Sequence, residues 1–241
     1  MSSIKRSVDL EYLNQNFYNK PKQIHLDLLE IIKKKRSFRK DNLKYCDVGC
    51  ADGQFINLIS KKTNFSITGV DVHKKLLKKA KKNIKDFKII EGSVLNRSLF
   101  KKNSFDVITM TGVLSIFKNF SKPLDNLLHW CKPGGFLIVT SVFNNSDIDV
   151  FINYRNISKK KNFLKSKNDW NIFSKKTISS FLNKKKKVKN FKFKDFKLEV
   201  DIKKNKNYPH KMWTIKKENK ENICVNGLSL VLDQKFLLIN L

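Results

Sequence analysis

Residues 43–56 run from an apolar stretch into a loop carrying Gly49 and Gly53, with Asp47 and Asp52 beside them. Glycine adopts backbone angles that strain other residues, and its missing side chain lets a ligand approach the main chain closely. A further acid, Asp71, ends the apolar run 65–71. A carboxylate about twenty residues beyond such a loop is placed to accept hydrogen bonds from both ribose hydroxyls of a nucleoside. The dinucleotide fingerprint would need small residues at 49, 51 and 54, and Gln54 breaks it.

These groups are useful only if the loop sits at the carboxyl end of a strand, where open α/β sheets bind ligands. The pattern provides that. Strand-like runs begin near 43, 65, 87, 104 and 131, with helical patterns over 54–62, 73–85 and 123–130 between them. Such alternation predicts a doubly wound, mostly parallel sheet of seven strands with helices on both faces and an antiparallel last strand. Before it, Pro21 opens a helix over 21–38 whose apolar stripe includes Ile24, Leu28, Leu29, Ile31 and Ile32 and whose far end is basic. After it, a helix is expected over 175–186, and strands over 191–202 and 210–216 form an antiparallel pair closing the sheet edge. The lysine run 184–187 reads as a solvated helix end. The segment 222–241 is apolar and docked, with no conformation assigned. The chain is organised as one domain over 1–241, with a helical cap over 1–42, a core over 43–143 and an acceptor-side, sheet-closing part over 144–241.

The spacing of Asp47, Gly49, Ala51 and Gly53 resembles the first motif of class I S-adenosylmethionine-dependent methyltransferases, D-x-G-x-G-x-G, with Ala51 at the middle glycine. Phe105 and Asp106 match the family's entry to its fourth strand, and Lys132-Pro133-Gly134-Gly135 its turn before the fifth. The resemblance covers roughly 43–143. It implies a Rossmann-like methyltransferase fold, S-adenosyl-L-methionine as cofactor, and cofactor contacts from Asp47, Gly49, Cys50, Ala51, Asp52 and Gly53. It adds Asp71 and Val72 at the ribose, Ser93 and Val94 at the adenine, and Met110 and Thr111 facing the methyl donor. Family members usually carry an acid at the position of Ser93. A serine there still offers a hydrogen bond to the exocyclic amine.

Absences narrow the acceptor. The exit of the fourth strand, Thr109 to Gly112, lacks the Asn or Asp followed by Pro-Pro and an aromatic that amino-methyltransferases of nucleic-acid bases carry, and no Pro-Cys nucleophile is present. No general base stands out; His210, Tyr154, Asp147 and Asp149 are candidates, and Arg155 is a candidate partner for an anionic group on the acceptor. The favoured acceptor is a small molecule methylated on oxygen or nitrogen, such as a sugar or nucleotide-linked metabolite. The alternatives are an RNA or protein methyltransferase and a catalytically silent binding domain.

The chain has 51 basic and 21 acidic residues, a formal charge of +30, but only five of the bases are arginine. Arginine is the side chain suited to bidentate phosphate and base contacts, so a solvated lysine surface is favoured over a nucleic-acid face. The four cysteines and four histidines show no metal-ligand spacing, and no metal is expected. No apolar run reaches the length of a membrane span, and a cytoplasmic protein of unassigned oligomeric state is expected.

Overall fold

The structure of the chain is a computed structural model that describes residues 7–14, 18–35, 42–84, 87–155, 167–168, 170–205, 211–228 and 230–241. Alternating apolar residues make the strands. β1 (Lys44–Val48), β2 (Ser66–Asp71), β3 (Lys88–Glu91), β4 (Phe105–Thr111) and β5 (Cys131–Asn144) pair in parallel. Helices α1 (Gln23–Lys33), α2 (Gln54–Lys62), α3 (Lys74–Asn83), α4 (Ser121–Trp130) and α5 (Lys175–Asn183) cover the sheet. The path across it is β3-β2-β1-β4-β5-β12-β9, where β9 is Asn190–Asp195 and β12 is Gln234–Asn240; the two-residue β8 (Phe173–Ser174) joins the tip of β5. Strand order reverses between β1 and β4, which puts a crevice at their carboxyl ends.

The period of two sorts the core into two layers. Tyr45, Val107, Phe136, Ile138, Phe236 and Leu238 face α1, α2 and α3. Their neighbours Cys46, Ile108, Leu137, Val139, Leu237 and Ile239 face α4 and α5. On α1 the buried stripe is Leu28, Leu29, Ile31 and Ile32, each worth about 1.5–3 kcal/mol of transfer free energy. α3 buries only Leu76, Leu77 and Ala80; Lys74, Lys75, Lys78, Lys81 and Lys82 face solvent, as a solvated basic face should.

Three expectations are corrected. The strand near 191 does close the edge, but its partner is β12, which inserts antiparallel between β5 and β9 with Leu237 opposite both Val139 and Phe193. The segment expected beside it forms β10 (Trp213–Lys216), which pairs with β11 (Asn222–Val225) in a separate hairpin. Four consecutive apolar residues in β12, Phe236 to Ile239, bury on both sheet faces, whereas β10 offers alternating Trp213 and Ile215 to one face only. The Lys132 to Gly135 turn does not precede β5 but loops out within it, between the pairs Phe105–Cys131 and Val107–Phe136, with Gly134 at φ +77°. Finally, Lys187 is not a solvated helix end. Its ammonium donates to Leu128 O and Asn103 Oδ1, both at 2.8 Å, and to Cys131 O, satisfying carbonyls at the end of α4.

Candidate functional site

The loop from β1 to α2 is built from left-handed backbone. Gly49, Ala51 and Gly53 have φ of +81°, +49° and +83°. Ala51 keeps the smallest side chain that still has a Cβ at an angle that costs L-residues about 1 kcal/mol. The Gly49 and Cys50 amides donate to Val70 O at 2.8 and 3.0 Å, tying the loop to the end of β2. A Cβ on Gly49 would lie 2.3 Å from Val113 Cγ2, so the loop and the exit of β4 come closer than any side chain allows.

Asp71 closes this loop from the other side. Its Oδ2 accepts the Ala51 amide at 3.0 Å and its Oδ1 the His73 amide at 2.8 Å. Two backbone donors orient the carboxylate. A cleft opens in front of it, walled by Gly49, Ala51, Asp71, Val72, Ser93 and Val94, with Thr111 and Gly112 at its far end. Ser93 Oγ accepts the Leu95 amide at 3.2 Å, which turns the loop after β3 and leaves the hydroxyl proton to donate.

A second, larger cavity of about 620 Å³ adjoins the cleft, and Tyr12, Gly49, Ala51, Thr111 and Gly112 belong to both walls. Asp47 lies in its wall. Because Asp47 pairs with Thr109 in the β1–β4 register, Thr109 Oγ1 donates to Asp47 Oδ1 at 2.7 Å, and Tyr45 Oη lies 2.5 Å from the same hydroxyl. Burial, opposed by the Thr109 bond and helped by the Asp71 charge, raises the Asp47 pKa from 3.8 to about 7. Asp52 is paired with Lys79 at 2.8 Å and accepts from Gln54 Nε2 at 2.9 Å. Lys79 also donates to Tyr12 O at 2.7 Å and Leu13 O at 3.2 Å, which clasps the 3-10 segment Ser7–Asn14 over the junction of the two cavities.

The sequence-predicted residues divide accordingly. Gly49, Ala51, Asp71, Val72, Ser93, Val94 and Thr111 border the smaller cleft, and Asp47, Cys50 and Asp52 the larger cavity. Two of the expected residues border neither cavity. Met110 is fully buried in the core with Val48 and Val139, because the alternation of β4 turns it away from Thr111. Gly53 borders neither cavity; a Cβ there would meet Ile84 Cδ1 at 2.5 Å, so this glycine serves the packing of α2 against the end of α3. The candidate bases also move away. Tyr154 lies on β6 (Asn153–Tyr154), in a ribbon with β7 (Lys167–Asn168), and Arg155 follows it, exposed; neither borders the cleft or the larger cavity. Asp147 pairs with Lys176 at 2.6 Å and Asp149 accepts the Ser174 amide at 2.6 Å, both structural ties. His210 lies outside the described residues.

Sequence reasoning missed Lys22 and His25, which line the larger cavity from the start of α1, and the wall from Phe196 to Ile202. Lys22 Nζ sits 4.6 Å from the Tyr12 ring centroid, and burial pulls its pKa down to about 8 against the pull of Asp52. The His25 ring stacks on Phe55 at 4.9 Å; burial, with repulsion from Lys22, brings its pKa to about 3 and keeps it neutral. The proline that opens α1 was the available signal, since it places these two side chains in the first turn.

A family model for the methyltransferase domain matches residues 39–195. The chain belongs to the methyltransferase domain family. S-adenosylmethionine is the methyl donor of this family. No curated protein matches the sequence. Among solved structures, an S-adenosylmethionine-dependent methyltransferase of Thermotoga maritima is 17% identical over 95% of this chain and 94% of its own, with a TM-score of 0.53. One of Methanosarcina mazei is 13% identical over 85% and 95%, with a TM-score of 0.54. A Methanococcus maripaludis protein is 23% identical over 58% of this chain; the chain spans 66% of that protein, with a TM-score of 0.46. At these identities the likeness to the first two is one of fold.

The methyltransferase's cleft fits the donor. A preoriented carboxylate at the end of β2 suits two ribose hydroxyls, and the open space in front of Gly112, with no atom within 4 Å of an added Cβ, leaves the main chain accessible. Thr111 Oγ1 is buried there without a hydrogen-bond partner, as expected of a group that a ligand satisfies.

Proposed function

We propose that this protein transfers a methyl group from S-adenosylmethionine to an oxygen or nitrogen atom of a small molecule. The observation that carries the reading is Asp71, held by two backbone amides at the head of a cleft that continues into a second cavity. Asp71 binds the ribose hydroxyls, Gly49 and Ala51 admit the nucleoside close to the main chain, and Ser93 donates to the adenine edge. Asp47 receives the cationic end of the methionine moiety, anchored by the Tyr45–Thr109 relay. When bound, the cofactor supplies an electrophilic methyl on sulfur; a C–O or C–N bond forms, the C–S bond breaks with its electron pair left on sulfur, and the acceptor releases one proton. The chain's own task is alignment and exclusion of water, with Tyr12 closing the junction under the Lys79 clasp.

The test is label transfer from methyl-labelled S-adenosylmethionine into separated small-molecule, RNA and protein fractions of a cell extract. Label in the small-molecule fraction, lost in Asp71→Ala, is expected. Label confined to RNA or protein would contradict the acceptor class, and no label in any fraction would contradict transfer.

A further inference from the structure

We propose that the larger cavity takes an uncharged acceptor with a largely apolar, ring-sized body and a hydroxyl group. This rests on the donor reading above, because the two cavities share the wall at Thr111 and Gly112 where the reacting atoms would meet.

Several charged groups of the wall already have partners. Among the carboxylates, Asp52 is paired with Lys79, Asp201 with Lys216 at 2.8 Å, and Asp47 is held in its relay and committed to the donor. No arginine among the described residues lines the cavity, so the fork that recognises phosphate or carboxylate is missing. Lys22 lies over the Tyr12 ring, and the buried polar atoms left without partners are neutral ones: His25 Nδ1, Gln54 Oε1 and Thr111 Oγ1. Buried polar atoms left unmet are costly, and three in one wall point to a ligand that supplies matching groups. A hydroxyl both donates and accepts, so it meets an amide oxygen, a threonine hydroxyl or either tautomer of a neutral imidazole.

Apart from Lys20, Lys22, Gln23 and Gln234, the rest of the wall is largely apolar. Ile24 and Phe55 face it from the helices, and Phe196, Leu198, Ile202 and Met212 from the segments after β9 and before β10. Leu198 belongs to a small separate cluster with Val142, Ile172, Cys224 and Leu232, which gives this side of the cavity its own rigid backing. The His25 ring, stacked on Phe55, extends the apolar surface while presenting one polar nitrogen. A cavity of about 620 Å³ lined this way suits a drug-sized ring system. This reading departs from the sugar-linked or nucleotide-linked acceptor expected from sequence.

The test is titration of 2-naphthol into the protein saturated with S-adenosylhomocysteine, with UDP-glucose and a short single-stranded RNA as comparators. Binding of 2-naphthol is expected, with neither comparator competing. His25→Ala and Val200→Glu should each weaken it about tenfold or more. Val200 is 52% exposed at the rim and lines only the larger cavity, so Val200→Glu folds and retains the nucleoside even where His25→Ala does not. Nucleoside bound but no affinity for 2-naphthol, affinity indifferent to both substitutions, or stronger binding of UDP-glucose or RNA would overturn the proposal. No binding of S-adenosylhomocysteine would instead overturn the donor reading, and this proposal with it.

Discussion

At the scale of single residues, the site combines strain with unmet electrostatics, and Asp47 shows both sides. Its folded pKa is raised from 3.8 to about 7 by burial, so the cofactor-free protein is stabilised below pH 4 by the protonated form and loses that stabilisation as pH rises through 7. The loss is on the order of a few kcal/mol. Asp47→Asn should therefore melt several degrees above wild type at pH 8 and not at pH 4, by calorimetry at both values. A cationic ligand reverses the sign, because it favours the ionised carboxylate. S-adenosylhomocysteine affinity should rise in wild type as pH increases from 6 to 8 and stay flat in Asp47→Asn; a flat wild-type profile would remove Asp47 from the site. If Asp71 holds the ribose as proposed, Asp71→Ala should weaken nucleoside binding by roughly 2–3 kcal/mol, while the loss of its bonds to the Ala51 and His73 amides makes the melting temperature the check on whether the loop survives. The placement of these acids at strand ends was legible from the apolar runs that they terminate. Met110 was not, since only the phase of β4 decides which neighbour faces the cleft.

Among elements, the clasp between α3 and the N-terminal 3-10 segment decides how the cleft closes. Lys79 neutralises the buried Asp52, whose side chain is 2% exposed, and holds the Tyr12 and Leu13 carbonyls. Lys79→Met leaves that carboxylate with Gln54 alone and should cost roughly 3 kcal/mol. Hydrogen exchange should speed up across residues 7–14, with nucleoside affinity falling in parallel; unchanged exchange would mean the segment is held by packing instead. The Tyr18 hydroxyl donates to the Asp52 carbonyl, while Tyr12 reaches both cavities. The parallel half of the sheet was readable from the sequence because each strand and its helix are local in the chain. The placement of β12 was not: its insertion between β5 and β9 depends on pairing partners about 45 and 95 residues upstream, and periodicity carries no information about partners.

For the whole molecule, a charge of +30 is carried mainly by lysines such as those on α3, which face solvent rather than converging on a groove. Like charges that point outward repel one another, and salt screens them. Raising sodium chloride from about 50 mM to about 500 mM should thus raise the melting temperature by about 2–5 °C without changing nucleoside affinity. A fall in stability would show that ion pairs such as Lys132 with Asp106 outweigh the repulsion. Among the described residues no helix is long and apolar enough to cross a membrane, and all four cysteines are buried free thiols, with burial pushing Cys131 up to about 12. What the molecule offers a ligand is therefore concentrated at the carboxyl ends of β1 to β4. The most direct test of that account is calorimetric titration of the full chain with S-adenosylmethionine and S-adenosylhomocysteine, with NAD as control. Micromolar binding of both sulfur nucleosides and none of NAD is the predicted result; equal binding of NAD, or silence toward all three, would contradict it.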